Sequence, residues 1–379
     1  MLLYWGTFIL MLLSHRYYPV EHHGEGHRLS KKNFLWRRSD IFMVLTIAWM
    51  TCFSFLRTSY NDTGNYIFFF KIAPTLEVFF VEGGHLDLTG NPLSNLYQVF
   101  MHELTDNYHI YFFFPAVLSS LSVIKLCKQF SVNPAFSLLL FYSIGTWMMY
   151  TAALKQCLAM FFLLMALPYA VEKKYVRFYL LNFIAILFHT HAFLFAIVPF
   201  LTRKPWGIVT WGLLGATLFA MATYDVTLGA FMAYAQSIGA LVDEGELFDG
   251  HAINILRVVV YWIPAALALI FRRRLFYDST RTENLFVNMS IASAFILTIG
   301  TVQAANLFAR MAGYFEIATI IALPWMIEKL FTRRSVRLVT VLASSLYFVY
   351  FWYENAINRA IDTNYAAISL WQFVRELFG

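Results

Sequence analysis

Charge is scarce in this chain. Asp, Glu, Lys and Arg supply 13% of its 379 residues, against about 25% in an ordinary soluble domain. Cysteine is scarcer still. Cys52, Cys127 and Cys157 all lie in apolar stretches, which excludes a small disulfide-built secreted module. The chain has no P-loop and no G-x-G-x-x-G, so ATP hydrolysis and a Rossmann cofactor find no support. There is no low-complexity tract and no internal repeat, and so little charge among so much apolar residue excludes a disordered chain. Metal-ligand patterns are thin. His102-Glu103-Leu104-Thr105-Asp106 lacks the second His of a zinc helix, and Glu21-His22-His23-Gly24-Glu25-Gly26-His27 sits among cations. No metal and no cofactor is expected. The apolar N-terminus lacks a basic leader and an A-x-A-like site, so a removable signal peptide is not expected.

What fills the chain instead is apolar residue: 60% is hydrophobic and 19% aromatic. A soluble fold of this length cannot hide so much apolar surface. One bilayer crossing uses about 20 residues. Apolar segments run over 1–14, 41–56, 109–126, 134–153, 156–171, 175–201, 206–222, 253–271, 284–303, 309–327 and 336–353. The expected fold is all-α: one polytopic integral membrane domain over 1–379 with about 10–12 transmembrane segments. The long polar connections are 57–108 and 223–252, placed outside, and 15–40, placed in the cytoplasm.

Net charge is +6. With loop 15–40 in the cytoplasm and sides alternating, about three-quarters of the 28 Lys and Arg fall inside, as the positive-inside rule requires. The basic balance therefore records orientation, and no nucleic-acid partner is implied. Segment 175–201 has Lys173, Lys174 and Arg177 at one end and Arg203 and Lys204 at the other. Both ends belong in the cytoplasm. This predicts a broken or re-entrant pair of half-length helices meeting at His189-Thr190-His191. Asn61-Asp62-Thr63 and Asn288-Met289-Ser290 match glycosylation sequons, the second inside a span, and are read as accidental.

A few ionisable residues depart from the loops. Arg57 ends the second span, Lys155 separates the fourth from the fifth, His189 and His191 sit at the helix break, and Arg310 enters the tenth. An ionisable group near hydrocarbon costs about 2.5–3.5 kcal/mol even on the mildest scale. The topology brings all of them to the outer face, three near helix N-termini, where the helix dipole already favours an anion. Singly, each has a plainer explanation. The cations can snorkel to headgroups, a His can satisfy a carbonyl, and Asp62 can pair with Arg57 across a turn. Together they read as an outer site for a phosphate-like or carboxylate group.

These residues resemble the EpsG family of polytopic proteins, Wzy-type polymerases of surface polysaccharide, over nearly the whole chain. Arg57…Asp62…Tyr66 is similar to the family's Arg-x-Gly-x-Asp-x-x-x-Tyr region. Asn91-Pro92 looks like its Glu-Pro-Gly segment with Asn for Glu. Lys155-Gln156…Ala159 looks like its Arg-Gln-x-x-Ala motif with Lys for Arg, a point charge in place of a fork. Phe188-His189-Thr190-His191-Ala192 looks like its His-x-(Ser/Thr)-Ala segment, with either His as the match. Arg310…Tyr314-Phe315 looks like its Arg-x-x-x-Tyr-Phe motif.

The resemblance implies polymerisation of undecaprenyl-pyrophosphate-linked oligosaccharide repeat units at the periplasmic face of the bacterial cytoplasmic membrane, as part of exopolysaccharide, capsule or O-antigen synthesis. It implies a lipid-linked oligosaccharide and the bilayer as partners, alongside other polysaccharide-assembly proteins. The expected roles are His189 or His191 as general base and Arg57, Lys155 and Arg310 on the pyrophosphate. Asp62 would orient Arg57 or a sugar hydroxyl, with Gln156, Tyr66 and Tyr314 on substrate. Broken helices with buried cations also suit a transporter or flippase of lipid-linked sugars, and a His base also suits a membrane acyltransferase acting on sugars.

Overall fold

The computed structural model describes residues 40–81, 90–226, 251–358 and 364–378, with isolated positions at 9, 229, 230 and 233. The expected segment 1–14, almost all of loop 15–40 with its His-Glu tract, and most of loop 223–252 lie outside the described residues. Every apolar segment inside them becomes a helix or a helix pair. Within a bilayer each backbone N–H and C=O must find its partner in the chain, and a helix does that locally.

In the first continuous described stretch, helix α1 (Asp40–Phe55) runs into a short strand β1 (Arg57–Ser59). Among its described residues, the connection read as a polar loop holds three helices, α2 (Thr63–Lys71), α3 (Leu76–Val81) and α4 (Pro92–Leu104). Then come α5 (Tyr108–Phe130), a pair α6 (Pro134–Ser143) and α7 (Thr146–Ala152) bent by 60°, and α8 (Leu154–Val171). Gly145 makes the bend at φ 90, a left-handed turn that costs glycine little. The chain continues through α9 (Tyr175–Phe188), a 3-10 helix (Thr190–Thr202), α10 (Ile208–Ala222), α11 (Ile255–Ile270), α12 (Arg272–Leu275) and α13 (Arg281–Ile299). A second pair, α14 (Ala305–Glu316) and α15 (Thr319–Leu330), bends by 54°. The helix α16 (Arg333–Trp352) runs on as a π turn (Tyr353–Asn358), and β2 (Ala366–Ala367) and α17 (Leu370–Phe378) end the chain.

Four of these helices are long and apolar enough to cross a membrane singly, and six spans result if each bent pair is one. The expectation of about 10–12 segments also includes the broken pair at 175–201, a segment outside the described residues, and shorter apolar helices. At 1.5 Å per residue the 14 residues of α9 reach about 21 Å, short of a hydrocarbon core of about 30 Å.

The break in 175–201 falls at His189, where the backbone turns extended between α9 and the 3-10 helix. The two halves fold back on each other. Asn182 donates to the Ala192 carbonyl at 3.0 Å, Tyr179 to the Ala196 carbonyl at 3.3 Å, and Phe178 stacks on Phe195. The hairpin brings its two basic flanks to one end of the bundle.

The central helix is α13, 83% buried against 28% for Arg334–Asn358. It opens on a reciprocal cap between Thr280 and Glu283, the Thr-x-x-Glu signature of a helix start. Its Asn288 donates to the Leu201 and Arg203 carbonyls at 2.8 and 2.7 Å and accepts from Thr210 at 2.9 Å. It thus pins the hairpin's far end to the core, and its burial removes it from glycosylation. Asn288→Leu strands those two carbonyls, and each unsatisfied buried group costs about 1–3 kcal/mol. A lower thermal transition in detergent is expected, checked by scanning calorimetry. At the same end Arg281 donates to the Ala170 and Val171 carbonyls that close α8, and Lys329 pairs with Asp278.

Candidate functional site

The opposite end of the bundle gathers the unusual residues, and its geometry starts from the end of α1. A helix leaves its last four carbonyls without intrahelical partners, and no water reaches them inside a membrane. Here four successive carbonyls each have a donor from elsewhere. Tyr365 donates to the Phe53 carbonyl at 2.6 Å, Arg57 Nη1 to Ser54, His109 Nδ1 to Phe55 at 2.9 Å, and the Ile368 N–H to Leu56 at 3.0 Å. Because a carbonyl only accepts, His109 carries its proton on Nδ1.

Arg57 is consumed by this arrangement. It is 3% exposed, donates from Nε to Thr63 Oγ1 at 3.0 Å, and lies 4.0 Å above the Phe112 ring. A guanidinium keeps its charge at neutral pH. A cation at a helix C-terminus is where the helix dipole wants one. Its fork holds a carbonyl, a hydroxyl and an aromatic face, and Asp62 pairs with Arg310.

Arg310, on the first turns of α14, donates from Nη2 to Asp62 Oδ2 at 3.0 Å and from Nε to Asn306 Oδ1 at 3.2 Å. Both partners of the ion pair are partly exposed, 25% for Arg310 and 18% for Asp62. Its backbone carbonyl accepts from Gln156 Nε2 at 2.9 Å, which locks α8 to α14. Gly313 lets the two approach: a Cβ there would lie 2.2 Å from Met149 Sδ and 3.1 Å from Gln156 Nε2. Tyr66 lies within Coulombic reach of Asp62 and Arg310, and its hydroxyl rests against the Lys155 backbone. Burial, with Asp62 beside it, pushes Tyr66 up to about 12, so it keeps its proton as a donor.

One helical turn beyond Arg310, the Tyr314 hydroxyl and His189 Nδ1 share a hydrogen bond. His191 stands next to it, ring centroids 5.1 Å apart. His189 lies within Coulombic reach of Arg310 and Lys155. The break is held from α4. Asn91 Oδ1 accepts from the Thr190 N–H at 2.8 Å and its hydroxyl at 3.1 Å, and Ser94 donates to the Phe188 carbonyl at 2.6 Å. Asn91 takes up a left-handed conformation, φ 59, ahead of Pro92 at the start of α4.

Beside Arg310 opens a cavity of about 700 Å³, within the roughly 300–1,000 Å³ usual for small-molecule sites. Ala153, the residue just ahead of α8, and the first residues of α11 and α14 border it. Arg257 and Glu354 line it with Arg310.

Of the expected residues, the fold brings together Asp62, Tyr66, Lys155, Gln156, His189, His191, Arg310 and Tyr314, and assigns Arg57 to the end of α1. Arg257, Asn306 and Glu354 were missed, and Asn91 and Thr190 were quoted as motif residues without a role. Arg257 had the same signal as Arg310, an arginine early in an apolar helix, and Asn91-Pro92 carries a helix-start signal. The His102-Glu103 pair is structural. His102 edges the Phe70 ring, and Glu103 accepts from the Leu76 N–H at 3.2 Å.

A helical bundle with intramembrane bends and a polar, charged site at one end defines a multi-pass membrane protein. The family model of the EpsG family matches residues 40–368. The chain belongs to the EpsG family, which makes it an exopolysaccharide-related membrane protein. It matches no curated protein and no solved structure.

Proposed function

We propose that the protein is a metal-independent membrane glycosyltransferase that polymerises oligosaccharide repeat units carried on undecaprenyl pyrophosphate, acting at the periplasmic face of the bacterial cytoplasmic membrane. One observation carries the reading. On α14 the Arg310–Asp62 pair and the Tyr314–His189 pair stand one turn apart, in a chain of an exopolysaccharide-related family.

In the proposed reaction a sugar hydroxyl of one repeat unit attacks the anomeric carbon of the other chain. The C–O bond to the lipid pyrophosphate breaks as the new C–O bond forms. The hydroxyl proton passes to His189, which Tyr314 holds in place, and a base of this kind contributes about 10²–10⁴-fold. Negative charge grows on the departing pyrophosphate. Arg310, held by Asp62 and Asn306, and Lys155 are cations on which that charge can settle, and preorganised charge of this kind needs no ATP. Asp62 aims the Arg310 fork, and Asn91 and Thr190 hold the break that carries His189.

The test is the purified full chain in nanodiscs, given lipid-linked repeat units and no acyl donor or gradient. Longer lipid-linked products are expected, and His189→Ala at equal protein lowers their rate by about 10²-fold or more. Transbilayer movement of the lipid-linked unit without elongation would overturn the reading in favour of transport.

A further inference from the structure

The cavity beside Arg310 has a lining that phosphate recognition does not explain. Five asparagines from five separate segments line it: Asn61, Asn254, Asn306, Asn358 and Asn364. Three have their side chains fixed. Asn254 Oδ1 caps α11 at Leu256, and its Nδ2 donates to the Tyr353 hydroxyl at 3.1 Å. Asn306 holds Arg310 Nε, and Asn358 Nδ2 donates to Glu354 Oε2 at 3.1 Å. Met148, Met149 and Ile253 add apolar lining.

An amide carries two donor hydrogens and an acceptor oxygen on one rigid plane, and a sugar hydroxyl likewise donates and accepts. Phosphate oxygens only accept. A phosphate in this cavity would also meet the Glu354 carboxylate, itself 2% exposed, and would compete with Asp62 for Arg310. A pyranose offers a hydroxyl rim and an apolar C–H face, which fits amides set among methionine and isoleucine.

We infer that this cavity is a carbohydrate subsite that binds the uncharged sugar rings next to the reacting end, read by asparagine amides. This rests on the polymerase reading for its place in the reaction. It leaves the pyrophosphate to the Lys155 side of Arg310. Asn306 links the two regions, because the amide that borders the cavity also holds the guanidinium.

The probe is phosphate-free oligosaccharide, released by mild acid from the producing cell's own lipid-linked repeat units. Binding to the full chain in nanodiscs is measured by calorimetry, with inorganic pyrophosphate as competitor. Asn61→Gly removes an exposed amide and suits the left-handed backbone there, φ 47. Asn358→Phe fills the cavity from an exposed position. Each is expected to weaken oligosaccharide binding by about tenfold, the weight of one or two hydrogen bonds, while pyrophosphate does not compete. No binding by the wild type, unchanged binding by Asn61→Gly, or competitive displacement by pyrophosphate overturns the inference. If the wild type binds the oligosaccharide in this pattern yet never elongates, the polymerase reading fails and the sugar site stands. If it elongates and both variants bind and elongate normally, the sugar site alone fails.

Discussion

Arg310→Lys is expected to cost most of the activity even though it keeps the charge. Arg310 uses two separate nitrogens at once, Nη2 on Asp62 and Nε on Asn306. A lysine ammonium is one compact point and cannot span both acceptors with the guanidinium's fixed geometry. The leaving-group charge would then meet a cation that is present but unaimed. Loss of one preorganised donor of this kind costs about 10²–10³ in turnover, and Arg310→Ala should fall at the upper end. Asp62→Asn keeps an acceptor for the fork and removes the counter-charge, so it should cost less than Arg310→Lys. Because Asp62 works through Arg310, the double variant Asp62→Asn/Arg310→Lys should be little worse than Arg310→Lys alone, since residues acting as one unit are not additive. Initial elongation rates at matched protein, with melting temperatures as a folding control, check all four. An Arg310→Lys protein at wild-type rate would show that charge without direction suffices.

Much of the helical layout was legible because the bilayer imposes it. Apolar length marks the spans, and the basic residues on both sides of 175–201 require its two ends to meet. The contacts of Asn182, Tyr179 and Phe178 across the break show that fold-back directly. The helices α2, α3 and α4 were not legible as such. They are short and half-apolar, and they read as polar connection until α4 is seen holding the helix break through Asn91 and Ser94. Arg57 shows the limit most sharply. An arginine at the end of a span can face a ligand or close its own helix, and composition is the same for both. Which one holds depends on who else supplies donors to residues 53–56, and two of the four come from beyond residue 364. The partner of Arg310 is likewise 248 residues away, outside any local pattern.

That dependence on the end of the chain carries the last prediction. Ending the chain after residue 363 is expected to cost activity far more than it costs the bundle. Residues 364–378 contribute few contacts to the main core. Their strand β2 pairs with β1, Ala367 opposite Arg57 and Ala366 opposite Ser59. Tyr365 and Ile368 close the Phe53 and Leu56 carbonyls, and Phe373 packs edge-on against Phe55. Without them the stretch from Leu56 to Asp62 loses the pairing that sets where Asp62 meets Arg310. A misplacement of about 1 Å at such a pair can cost about 10²-fold, so elongation should fall at least tenfold while the purified chain stays monodisperse. Tyr365→Phe strands the Phe53 carbonyl alone, a cost of about 1–3 kcal/mol, and leaves the strand pairing intact. It should therefore lower the thermal transition and keep most of the activity. Full activity in the truncated chain would show that Arg57 and His109 hold the end of α1 without the strand.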